Sequence, residues 1–302
     1  MPNVHEEVVL GRKLCYLSLR AKTPDGLTVA VQDWATDNRP RESELLLVHG
    51  FSQSHRAWFH QVSGSLAKRF RLVTFDLRGH GDSDKPDDAA CYKEAARWAG
   101  EIQSVIQTSG LDRPILVAWS YGGRVALDYL SSHGDAGISG LVMVSATSTN
   151  TPNVLGPASE TLRRMTSPDP ATAREGTLAL LRSCLARAAS ASEVEYMLKY
   201  NEQVPVSVRS HLAGRPALYE HTLRAVRVPT LVIHGMLDPI NLPEMAGYTA
   251  AMVPHARALT YEDAGHMPFW ERPERFDEDV TSFVRKDVLG NLGAAPQFGR
   301  NP

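Results

Sequence analysis

The chain has 302 residues, 43% hydrophobic and 22% charged, with 32 basic against 34 acidic side chains and a formal net charge of −2. That is enough apolar length to bury one large α/β domain or two modest ones. The balanced charge argues against nucleic acid or an anionic membrane as partner, and no stretch approaches the roughly 20 apolar residues that span a bilayer.

The chain opens MPNVHEEVVLGRK, without the charged, then apolar, then small-residue layout of a secretory leader. Residues 14–20 (LCYLSLR) and 27–34 (LTVAVQDW) alternate like the arms of a hairpin, turning through TPDG at 23–26. Continuous apolar runs follow at 44–48, 71–75, 114–118, 141–145 and 229–234, with a weaker one at 257–262. Runs of this kind are typical of parallel strands covered on both faces. Helical periodicity covers 93–108, where Ala95, Ala99, Ile102 and Ile106 are the apolar positions, then 123–130 and 272–285. The alternation predicts a doubly wound α/β fold. The interval between the strand ending near Ser145 and the one starting at Thr230 is too long for a simple crossover. It begins rich in Ser, Thr, Asn and Pro, then turns helical, with Leu178, Leu181 and Leu185 sharing one face, as do Val194, Met197 and Leu198. Residues 150–226 are therefore expected to form an inserted helical cap over a core domain built from 1–149 and 227–288. The Gly-, Pro- and Asn-rich tail, 289–302, is expected to be disordered. Three cysteines, Cys15, Cys91 and Cys184, lie far apart and are odd in number; reduced thiols in a cytoplasmic protein are expected.

One junction stands out for its chemistry. In ILVAWSYGGRVALDYL (115–130) a strand-like run meets Ser120, then a helical pattern. A sharp strand–turn–helix lifts a serine hydroxyl above the sheet and crowds the backbone two positions before and after it. Small residues are needed there, and Ala118 and Gly122 supply them, with Gly123 adding room. A small-x-Ser-x-Gly pattern also occurs by chance in ordinary loops, so the flanking strand and helix matter. A serine hydroxyl is a poor nucleophile until a base takes its proton. Of eleven histidines, His266 in YEDAGHMPFWERPERF follows the last strand-like run and precedes a helix, at the same sheet edge. Asp238, in VIHGMLDPINLP, is placed to orient the imidazole. Glu262 and Asp263 lie in the histidine's own loop, His234 ends a strand and reads as structural, and Asp76 reads as bracing the RGHG turn. The backbone N–H groups of Phe51, in LLLVHGFSQS, and of Tyr121 would make a two-donor oxyanion hole. Trp119, Trp58, Met267 and Phe269 neighbour the catalytic loops in sequence and are expected to line the substrate pocket. There is no GxxxxGK[ST] loop and no GxGxxG fingerprint, and His49, His55, His60 and His80 are not spaced like a zinc site. No cofactor and no metal are expected.

The segments LLLVHGF (45–51), FDLRGHGDSDKP (75–86), AWSYGG (118–123), LVIHGMLDPI (231–240) and GHMPFWERPERF (265–276) resemble the α/β-hydrolase fold superfamily. The resemblance runs from about residue 14 to 288. It implies a mostly parallel sheet with one antiparallel strand and a helical lid, with Ser120 as nucleophile, His266 as base and Asp238 as orienting acid. It likewise implies Phe51 and Tyr121 as oxyanion donors. The elbow and histidine loop resemble those of small bacterial carboxylesterases, biotin-pathway acyl-carrier methyl esterases and acyl-homoserine lactonases. Haloalkane dehalogenases and epoxide hydrolases of the superfamily carry Asp at the elbow, against Ser120 here. The expected activity is hydrolysis of a small-molecule carboxylic ester or lactone through an acyl-enzyme, on short-to-medium acyl or aryl substrates. Carbon–carbon bond hydrolases, perhydrolases, cofactor-free dioxygenases and non-catalytic receptors share this pattern and stay open at this point.

Overall fold

The apolar runs are strands with helices on both sides. A computed structural model describes residues 3–290, apart from Asn38 and Ala158. Its strands are β1 (Asn3–Val9), β2 (Arg12–Lys22), β3 (Thr28–Asp33), β4 (Glu44–Val48), β5 (Arg71–Phe75), β6 (Ile115–Trp119), β7 (Gly140–Val144), β8 (Thr230–Gly235) and β9 (Arg257–Tyr261). They form one nine-stranded sheet in the order β1-β2-β3-β5-β4-β6-β7-β8-β9. From β5 to β9 every pairing is parallel, whereas β3 pairs antiparallel with both β5 and β2, and β1 antiparallel with β2. Two strands, β1 and β3, thus run against the rest, where the resemblance implied one. The additional one, β1, has no apolar alternation to announce it, because it is an outer edge strand with Val4 and Val8 exposed. It is held by a two-residue turn in which Leu10 (φ 45°) and Gly11 (φ 78°) both take left-handed conformations, the geometry that suits a tight hairpin.

Alternate residues of each central strand enter separate cores. Leu45, Leu47, Ile115, Val117 and Trp119 point to one face with Phe276, Val280 and Phe283. Leu46, Val48, Leu116 and Ala118 point to the other with Trp98, Ile102, Val125 and Leu127. The helices Ala95–Ser109 and Tyr121–His133 cover this second face, and Pro273–Phe283 covers the first. The last of these continues as a wider turn over Val284–Leu289. Leu289, placed in the expected tail, belongs to that helical turn; residues 291–302 lie outside the described residues.

Between β7 and β8 the chain forms the helices Ser159–Met165, Pro170–Ser183, Ala191–Asn201, Val206–Leu212 and Glu220–Ala225. Leu181, Leu185, Met197 and Leu198 are buried in the core that contains Trp119 and Phe269. Val208 and Leu212 join the core on the other side. Among the described residues no helix is long and apolar enough to cross a membrane.

Candidate active site

Ser120 sits at the end of β6 with φ 53° and ψ −119°, and the next residue begins a helix. Such a backbone costs a non-glycine residue of order 1–3 kcal/mol and persists only where its surroundings enforce it. Here Ser120 N–H donates to Val144 O (3.1 Å), and Ser120 O accepts from Gly123 N–H (2.9 Å) and Thr147 N–H (3.0 Å). The helix lies directly on the end of β4. A Cβ at Gly122 would stand 2.6 Å from Val48 O and 2.7 Å from His49 O, and one at Gly123 would stand 2.6 Å from Ala146 Cβ. Those two glycines let the elbow close.

The three residues expected to converge do so. His266 Nε2 lies 2.8 Å from Ser120 Oγ, and His266 Nδ1 lies 2.7 Å from Asp238 Oδ2. A carboxylate facing Nδ1 holds the proton there, which leaves the Nε2 lone pair for the hydroxyl. The other oxygen of Asp238 accepts from the N–H groups of Ile240 (2.8 Å) and Asn241 (3.1 Å), so its turn grips it from behind. Burial pushes the Asp238 carboxyl up in pKa, but the His266 charge and hydrogen bonds from His234 and His266 outweigh that and bring it to about 2. It is a carboxylate at any working pH. His234 bonds Asn241 O at 2.9 Å and stands 3.3 Å from Asp238, a supporting position.

The histidine loop is tied down from two directions. Trp119 Nε1 donates to His266 O (2.8 Å). Buried Glu271 accepts from Gly265 N–H (2.6 Å) through one oxygen and from Ala186 (2.7 Å) and Arg187 (3.2 Å) N–H through the other. It thereby links the loop of His266 to the helical segment between β7 and β8. Nothing in the sequence marks this role; Glu271 reads there as one acid in a charged helix start.

Phe51 follows Gly50, whose Cβ would lie 3.1 Å from Ser120 Cβ, so this loop rests against the serine. Neither Phe51 N–H nor Tyr121 N–H has an acceptor among the described residues. Two buried histidines fix the loop. Leu77 N–H donates to His49 Nε2 (3.0 Å) while His49 Nδ1–H donates to Gly50 O (2.8 Å). Likewise Ser52 N–H donates to His80 Nε2 (3.2 Å), and His80 Nδ1–H to Arg78 O (2.9 Å). Each ring accepts at one nitrogen and donates at the other, the pattern of a neutral imidazole. Burial agrees, pulling His49 down to about 4 and His80 to about 3. Asp76 accepts from the N–H of His55 (2.8 Å), its ring (2.9 Å) and Asp82 N–H (3.0 Å), bracing the RGHG turn as expected.

Over Ser120 and His266 opens a cavity of about 530 Å³. Phe51, Trp119 and Tyr121 line it, together with Leu155, Leu180 and Ile240. The expected pocket residues Trp58, Met267 and Phe269 do not. All three are fully buried core residues, and the Trp58 and Phe269 rings pack at 4.5 Å with Phe276 close by. Phe269 also packs against Trp119 at 5.0 Å. The wall also contains Arg124, Arg163 and Arg215, none of which the sequence reading singled out. Arg124 lies in the first turn of the helix that follows Ser120, and nothing in the sequence marks it as facing the cavity.

Fold and site together define a class: doubly wound α/β proteins with a serine on a strand–helix elbow, bonded to a histidine that is bonded to an aspartate. The chain belongs to the alpha/beta hydrolase family, whose sequence model matches residues 45–279. It is similar to a structure of a putative aryl esterase from Burkholderia cenocepacia, at 31% identity and a TM-score of 0.85, covering 90% of this chain and 99% of that one. A second similar structure is the esterase RhEst1 from Rhodococcus sp. ECU1013, at 30% identity and a TM-score of 0.83, covering 89% and 99%. Among relatives by sequence, the AB hydrolase superfamily protein YisY of Bacillus subtilis is 26% identical over 87% of this chain and 97% of its own length. A proline iminopeptidase of Lactobacillus delbrueckii subsp. bulgaricus is 27% identical over 83% and 91%.

Proposed function

We propose that the protein is a serine hydrolase of small carboxylic esters or lactones that works through an acyl-enzyme. The observation that carries this reading is the 2.8 Å contact of Ser120 Oγ with His266 Nε2, backed by Asp238 at 2.7 Å. Ser120 Oγ attacks the carbonyl carbon as its proton passes to His266 Nε2. The oxyanion that forms is held by the unengaged N–H groups of Phe51 and Tyr121, each worth about 3 kcal/mol of transition-state stabilisation. Collapse expels the alcohol, which takes the proton from His266. Water then gives a proton to His266 and attacks the acyl carbonyl; on collapse the bond to Ser120 Oγ breaks, Oγ takes that proton back from His266, and the acid product is freed. Asp238, ionised throughout, stabilises the imidazolium in both halves. Residues 150–226 act as a cap that shapes the pocket, since Leu180, Leu212 and Arg215 belong to its wall.

The esterases among the similar structures support an ester substrate. The iminopeptidase relative raises amide hydrolysis at a free amino terminus, yet the described cavity wall holds arginines and no carboxylate to receive an ammonium group. A fluorophosphonate should label Ser120 at one equivalent per chain. Ser120→Ala should reduce turnover of a panel of nitrophenyl esters and lactones roughly a thousandfold or more. Activity that survives in that variant would point to dioxygenase-type chemistry on the histidine–aspartate pair. Turnover confined to long-chain lipids would defeat the short-to-medium acyl or aryl preference.

A further inference from the structure

The cavity wall is charged, and its charges are unevenly matched. Arg215 donates to Asp128 Oδ2 (2.7 Å) and to Tyr121 Oη (3.0 Å), and Asp128 also accepts from Tyr219 (2.7 Å). That cation has its carboxylate. Arg124, 7% exposed, has none. Its Nη2 reaches only neutral oxygens, Asn150 Oδ1 at 2.8 Å and Arg215 O at 2.5 Å, and its guanidinium stands 5.5 Å over the Tyr121 ring. Its Nε is buried without an acceptor, and Nη1 bonds no described residue.

A guanidinium is cationic in any protein. Burying one without an anion costs several kcal/mol, so buried cations are ordinarily paired. The surroundings deepen the mismatch, because Arg215 is a second cation whose counter-charge Asp128 already has two donors. Arg124 is also well sited for a substrate. It lies in the first turn of the helix that Ser120 precedes, and both residues belong to the cavity wall; long helical side chains lean back toward the N-terminus, here the end that carries Ser120.

We propose that the natural substrate is an anionic ester carrying a carboxylate, and that Arg124 is the residue that binds this carboxylate within the cavity. The proposal rests on the hydrolase reading for the word ester, but not for the anion. The carboxylate completes the donor set of Arg124 and supplies the missing counter-charge, so it is recognised where an uncharged chain of equal length is not.

Binding of unreactive amide analogues tests this without turnover. The half-amide of a short α,ω-dicarboxylic acid, and an N-acyl amino acid of similar length, place the carboxylate on opposite sides of the carbonyl. Each is compared by calorimetry with its uncharged methyl-amide counterpart. The wild-type protein should bind at least one carboxylate probe about tenfold or more tighter than its neutral partner. That ratio should fall to about one in Arg124→Gln and stay above one in Arg124→Lys, which keeps the charge. Equal affinities in the wild type, or a preference that persists in Arg124→Gln, would overturn the proposal and leave Arg124 as a tether to Asn150 and the Arg215 carbonyl. If the Gln variant fails to fold, Arg124→Lys still decides: its ratio should fall below the wild-type ratio while staying above one, because lysine cannot offer the paired donors, and a ratio unchanged from wild type would place the carboxylate on another group and overturn the proposal. A protein that prefers the carboxylate yet hydrolyses no ester would refute the proposed function and leave this inference standing.

Discussion

At the scale of single residues, the site depends on positions where no side chain fits. Gly122→Ala puts a methyl group 2.6 Å from Val48 O, so the first turn of the helix must lift from β4. A cost of about 1–3 kcal/mol is expected from such overpacking, visible as a lower urea midpoint. The same shift moves Tyr121 N–H away from the place proposed for the oxyanion, so on that proposal kcat should fall more than KM rises. A variant with unchanged stability and kcat would show that the close approach is unimportant. Ser120, His266 and Asp238, which the structure brings into one hydrogen-bonded row, were legible in the sequence because each sits in a local pattern of strand end, small residue and loop. Trp58, Met267 and Phe269 were misplaced for a related reason. Nearness in sequence to a catalytic loop does not say which side of the loop a ring occupies, and these face the core. Arg124 went unread because a lone arginine on an apolar helix has no signature until its partners are known.

At the scale of elements, the parallel strands appear within a residue or two of their expected ends; for β4 to β8 burial on both faces leaves an unbroken apolar run, which the edge strand β9 lacks. β1 left no such trace, since Val8 is 75% exposed and the strand holds by its hairpin register. The helices after β7 were readable as periodicity, but their contacts were not. Glu271 is the clearest instance, joining the His266 loop to the 184–187 turn across a long stretch of chain. Glu271→Ala strands the buried Gly265 N–H, while the N–H groups of exposed Ala186 and Arg187 can turn to water, and a loss of about 1–3 kcal/mol is expected. Because His266 then loses its fixed position, kcat should drop about tenfold or more while a fluorophosphonate still labels Ser120 slowly. Glu271→Gln, which can still accept at one oxygen, should lie between the two. Wild-type kcat in the alanine variant would show that the loop holds without the carboxylate.

At the scale of the whole molecule, the buried histidines make stability depend on pH. His49 and His80 are held neutral, at about 4 and about 3, while the unfolded chain takes up their protons below about 6.5. Their stabilising effect is therefore complete above about 6.5 and is lost progressively as pH falls toward 4 and 3, by an amount on the order of several kcal/mol. Asp76 adds to this at the acid end. Burial raises its carboxyl, but the charge and hydrogen bond of His55 outweigh that and hold it well below the usual range, so its contribution fades as it protonates. Urea midpoints at pH 7, 5.5 and 4.5 should decline steadily, and His80→Gln should flatten the slope; a wild-type midpoint independent of pH would contradict the account. The most direct test of the central claim is the intact mass of the protein quenched during turnover of a slowly deacylated aryl ester. The account predicts one added acyl group, mapped to the peptide that contains Ser120 and absent from Ser120→Ala. Turnover at the full rate with no acyl group on Ser120 would contradict it.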